Sequence, residues 1–147
     1  MKRFFSILLS LLLMVPLLTA CGDQAKLQDG YYTAQAKEFS HGWKEYITIL
    51  VKGGSIVSVE YNAENLSGFI KSWDNAYMQT MLHSNGTYPN EYTRYYANQF
   101  LEGQGEGSID AIAGASSSHA SFQILAQAVL EQARKGDSSI VSVDTTH

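Results

Sequence analysis

Residues 45–61 read EYITILVKGGSIVSVEY, from Glu45 to Tyr61. The first half is a β-branched and aromatic run, and the second alternates apolar with polar residues at period two, so each half predicts a strand. Between them lies Lys52-Gly53-Gly54. Two adjacent glycines permit the positive φ that a tight hairpin turn demands, so the two strands pair antiparallel. Working outward, residues 31–36 (YYTAQA) form a further strand-like run behind Asp29-Gly30. The three runs together predict an antiparallel meander.

Helical patterns follow. Ser72 is placed to cap a helix running to Leu82, with Trp73, Ala76, Tyr77, Thr80 and Met81 on its apolar face. Pro89 opens a second helix that carries Tyr92, Tyr95, Tyr96 and Phe100 and stops at the glycine-rich stretch beginning with Gly103. Residues 109–112 read as a short strand. A long helix from Ser117 or Ser118 carries Phe122, Leu125, Ala126, Val129, Leu130 and Ala133 and ends at Gly136. Residues 140–143 have β-like alternation, and a strand or a disordered tail fits equally. The expected class is α+β, an antiparallel meander packed against helices.

The chain opens with Lys2 and Arg3, an apolar run over residues 4–18, and then Leu18-Thr19-Ala20-Cys21-Gly22. This is the pattern of a secretory signal, too short for a comfortable membrane span of about 20 residues. It resembles a bacterial lipobox, with Cys21 lipidated and first in the mature chain. The expected organisation is a signal peptide over 1–20, lipidated cysteine and tether over 21–28, one domain over 29–136 and a tail over 137–147. Cys21 is the one cysteine, so disulfides and zinc-thiolate sites are excluded from the mature domain. Removing Lys2 and Arg3 leaves eight basic against fourteen acidic residues, a net charge of −6. With no basic cluster, nucleic acid is excluded as a partner.

Residues 110–119 read DAIAGASSSH. A helix N-terminus offers unpaired N–H groups and the positive end of its dipole, so this stretch can serve either as a serine-rich cap or as a phosphate seat. The element from Asp110 to Ser116, with Asp29-Gly30-Tyr31-Tyr32 and the hairpin VKGGSIVSVEY, resembles the FMN-binding domain family, in particular its small membrane-immunogen lipoproteins. The resemblance runs from Asp29 to about Lys135. It implies FMN as cofactor, covalent or non-covalent, with Ser116 on the acceptor hydroxyl that a separate flavin transferase can join to the FMN phosphate. It also places Asp110 on the motif aspartate, and Gly114 and Ala115 on the motif glycine and alanine. Ala113 departs from the serine or threonine usual there.

The resemblance further implies a membrane-anchored, extracytoplasmic electron carrier that exchanges electrons with membrane redox partners, the flavin performing the redox chemistry. Nothing in the sequence marks a catalytic acid or base. Ser117 adds a hydroxyl to the phosphate seat. Trp43, in the loop FSHGWK, can stack on a flavin ring or pack as a rim aromatic, with His41 and Lys44 beside it. The four histidines share no ligand spacing, which argues against a metal site. The alternative function is a flavin-free surface lipoprotein that acts as an interaction module, and colour separates the two.

Lipidation at Cys21 leads to one expectation. Cys21→Ser should release the domain from membranes, scored by fractionation; unchanged retention with unaltered processing would reject the anchor.

Overall fold

The computed structural model describes residues 26–146. The signal segment and Cys21 lie outside the described residues. Strands β1 (Gly30–Ala36), β2 (Lys44–Lys52) and β3 (Ser55–Glu64) form the expected antiparallel meander. Gly53 and Gly54 turn the hairpin with φ of 63° and 78°. Opposite Leu50 and Val51 the register shifts, because Ile56 pairs with Val51 while Ser58 pairs with Leu50. Val57 is the inserted residue of a bulge, which resets the alternation. Ile56, Tyr61 and Ala63 therefore face the core, and Val57 lies outside.

After β3 the chain departs from the sequence reading. Ser72 does not cap a helix. It sits in a 3₁₀ turn, Lys71–Trp73, and helix α1 (Asn75–Asn85) starts instead from Asp74, whose side chain accepts from the Tyr77 N–H at 2.9 Å. Ser72 is tied to β3: Asn62 Nδ2 donates to Ser72 Oγ at 2.8 Å, and Asn62 Oδ1 accepts from the Ser72 N–H at 3.3 Å. A serine held this way is unavailable as a cap. Trp73, expected on the apolar face, is exposed.

Helix α2 (Pro89–Glu102) follows the prediction, with Pro89 at its first position, where the missing N–H costs nothing. Helix α3 (Ser116–Lys135) begins slightly earlier than expected and ends at Gly136 in the left-handed region. Residues 109–112 form no strand. Their polar groups are taken by side chains instead: the Ile112 N–H donates to Tyr96 Oη at 3.1 Å, and the Ile109 carbonyl lies 2.7 Å from His119 Nε2. In the segment read as a tail, β4 (Val141–Val143) adds to the edge of β1 in parallel. The sheet is thus mixed, in the order β3-β2-β1-β4.

One face of the sheet is covered by the helices, α3 over β1 and β2 and α2 over β3. Ile47, Ile49 and Val51 from β2 meet Phe122, Leu125 and Val129 from α3, all fully buried. The other face is wet, with Tyr31 exposed and Thr33 bonded to Thr48 across the strands at 2.9 Å. Alternation in the strands and 3.6-residue spacing in α3 meet in a single core.

Leu125→Ala deletes a fully enclosed side chain at this junction. It should cost about 2–5 kcal/mol in chemical denaturation. Wild-type stability in that variant would contradict the packing of α3 on the sheet.

Candidate functional site

A cavity of 570 Å³ opens where β1 ends, β2 begins and α3 starts. It brings together Trp43, Gly114 and Ser117, three of the residues singled out in the sequence. The others stand around it. Ser116 is the first residue of α3 and is exposed, Ala115 is its buried N-cap, and Asp110 is exposed in the preceding loop.

The serine-rich cap is not formed. Ala115 occupies the N-cap, and no side chain caps the helix. The first-turn N–H groups of α3 therefore have no side-chain cap. Ser117 and Ser118 both line the cavity, and the carbonyl of the buried Ser118 accepts from Tyr61 Oη at 2.9 Å. The loop before α3 is cross-braced by Tyr96, whose hydroxyl accepts from the Ile112 N–H at 3.1 Å and donates to the Ala115 carbonyl at 3.3 Å.

Gly114 has a packing reason to be glycine. Its φ is 83°, and a Cβ there would collide with the Asn85 carbonyl oxygen at the end of α1. Asn85 Nδ2 donates to the Gly114 carbonyl at 3.2 Å, so the loop and α1 are locked together. The absence of a side chain serves this contact before it serves any ligand.

Trp43 is buried at the cavity rim, its ring edge-on to Tyr77 with centroids 5.8 Å apart. Its backbone bridges to Ser40, which closes the loop that carries His41. His41 lines the cavity, whereas the Lys44 ammonium lies over the Phe39 ring at 5.8 Å.

Lys71 was missed by the sequence reading. Its ammonium lies 5.1 Å from the Tyr77 ring centroid and 5.9 Å from that of Trp43, and the residue lines the cavity. Burial lowers its pKa, and the Glu45 carboxylate partly opposes that shift. In FIKSW a lone lysine reads as a solvated side chain. The Asn62–Ser72 clip and the bridge of Ile70 to Glu64 hold the turn that carries it against β3.

The cavity can therefore offer an elongated ligand helix N–H groups and hydroxyls at one end. At the other it offers aromatic walls and a cation.

No family model matches the chain. It is similar to the 15 kDa lipoprotein of Treponema pallidum (strain Nichols), being 32% identical over 131 residues that span 88% of this chain and 92% of that protein. Among solved structures it is similar to the crystal structure of the CPE2226 protein from Clostridium perfringens. That likeness has a TM-score of 0.75 and 34% identity, covering 80% of this chain and 98% of the other.

The brace on the loop is testable apart from any ligand. Tyr96→Phe keeps the ring but leaves the Ile112 N–H without its acceptor, and should cost about 1–3 kcal/mol. Hydrogen exchange should accelerate at Ile112; exchange and stability equal to wild type would show that the hydroxyl holds nothing.

Proposed function

The chain belongs to the family of the 15 kDa lipoprotein of Treponema pallidum, and from that premise we propose that it is a lipid-anchored extracytoplasmic protein that binds FMN and carries electrons through it. One observation carries the reading: Trp43, Gly114 and Ser117, far apart in the chain, share one cavity beside an uncapped helix start. Its 570 Å³ falls within the usual range for small-ligand sites, about 300–1,000 Å³.

The residues suit the group. The first turn of α3 and the Ser117 hydroxyl receive a phosphate without a basic side chain, because the helix dipole and free N–H groups favour an anion there. Trp43 and Tyr77 supply aromatic wall for a planar ring. Ser116, exposed at the first helical position, is accessible to a flavin transferase, with exposed Asp110 as the recognition residue. Bound FMN supplies reversible uptake and release of electrons.

The architecture also suits a carrier anchored through Cys21. The chain enters the fold where the Gln28 N–H donates to the Ala133 carbonyl at 2.9 Å, near the C-terminus of α3. The cavity lies at the other end of that helix, about 30 Å away at 1.5 Å per residue. Membrane redox partners therefore reach the cavity at the end remote from the anchor.

The test is the mass of the chain made together with a flavin transferase and then denatured. FMN should stay attached and add its mass to the peptide containing Ser116, and Ser116→Ala should abolish the attachment. Flavin lost on denaturation would make the binding non-covalent, with Ala113 in the motif as the suspected reason. A wild-type protein that stays colourless under FMN saturation would leave a flavin-free interaction module.

A further inference from the structure

The cavity has two chemically different ends. Helix α1 runs along it, with Tyr77 near its start beside Lys71 and Asn85 at its end against Gly114. Tyr77 and Asn85 are eight steps of helical rise apart, about 12 Å. The Gly114 end offers backbone N–H groups and the Ser117 hydroxyl. The Tyr77 end holds Lys71 between two aromatic rings.

Lys71 is only 9% exposed, yet its ammonium makes no hydrogen bond to the described residues. No carboxylate of the described residues forms an ion pair with Lys71 within 4.0 Å. No fully enclosed side-chain nitrogen or oxygen among them lacks a partner. An ammonium without a hydrogen bond must therefore touch open space, and the space that Lys71 lines is the cavity. A buried cation costs several kcal/mol unless its surroundings compensate, and two ring faces compensate in part. Packing alone would be served as well by an apolar side chain of the same length.

We propose that Lys71 is the residue by which the cavity selects the head of its ligand, a planar heteroaromatic ring whose carbonyl edge accepts from the ammonium between Trp43 and Tyr77. This rests on the flavin reading and adds to it the residue that recognises the ring. A phosphate does not suit this end, because the Glu45 carboxylate lines the same wall and would repel a dianion. Glu45 is itself held by Tyr61, whose hydroxyl donates to Oε1 at 3.0 Å, so it is not free to swing onto Lys71. A neutral carbonyl edge meets the ammonium without that repulsion.

FMN and riboflavin, which share the ring and differ in the phosphate, separate the two ends. Binding of each to the full domain is measured by calorimetry for wild type, Lys71→Met and Lys71→Arg. Lys71→Met should weaken FMN and riboflavin by the same factor, tenfold or more, and Lys71→Arg should restore part of the loss. The ligand-free Lys71→Met protein should melt at the wild-type temperature or above, since a buried charge that is only partly compensated has gone. Undiminished binding of both flavins by Lys71→Met would overturn the proposal. So would a loss confined to FMN, which would place Lys71 at the phosphate end. A drop in melting temperature with no recovery by arginine would make Lys71 a packing residue. If wild type binds neither flavin, the flavin reading falls and this inference with it.

Discussion

The ring of Tyr61, on β3, meets Phe122 of α3 edge-on with centroids 4.9 Å apart, and Tyr96 of α2 lies 6.3 Å from the one and 5.5 Å from the other. This three-ring junction is where the sheet and both long helices are joined. The Tyr61 hydroxyl shares its proton between the Ser118 carbonyl and Glu45 Oε1, which pins the first turn of α3 to the sheet. Burial pushes the Tyr61 pKa well above that of an ordinary tyrosine, so the hydroxyl stays a donor. The Tyr96 hydroxyl, from the same junction, holds the loop ahead of α3. Apolar burial supplies the energy, and two polar tips convert it into a defined position for the helix start.

Much of the site follows from that position. With α3 fixed, the loop carrying Gly114 has one place to go, against the end of α1, and the contact is too close for any side chain. With α1 fixed in turn, Tyr77 lies beside Trp43. The Asn62–Ser72 clip and the bridge of Ile70 to Glu64 hold the turn that carries Lys71 against β3. Asn62 Oδ1 also accepts from the Ala63 N–H at 3.0 Å, so one buried amide organises both the end of β3 and the turn after it. A polar network of this kind is stable only when fully satisfied, and this one is.

The two ends of the domain are thereby given different tasks. At the end where the tether enters, Gln28 caps the last turn of α3, its Nε2 donating to the Arg134 carbonyl at 3.1 Å, and Asp29 Oδ1 accepts from the Gly54 N–H at 2.9 Å in the hairpin turn. These contacts close that end. The opposite end keeps an open cavity, because the strand ends there are joined by loops.

The meander, its hairpin and the two long helices were legible in the sequence, because each is encoded by periodicity and glycine placement within a few residues. Even there a bulge at Val57 shifted the phase, since an inserted residue is visible only against the partner strand. Ser72 and residues 109–112 were misread for a related reason: their polar groups are satisfied by Asn62, Tyr96 and His119, which come from elsewhere in the chain. Trp43, Gly114 and Ser117 could be named from residue type, but nothing local indicates that they share a cavity. Lys71 was illegible altogether, because its burial depends on contacts across the fold. The sequence by itself determined the meander, its hairpin and the two long helices. Only the tertiary structure decided which of them face one another, because that depends on how helices packed on a twisted sheet bring distant residues together.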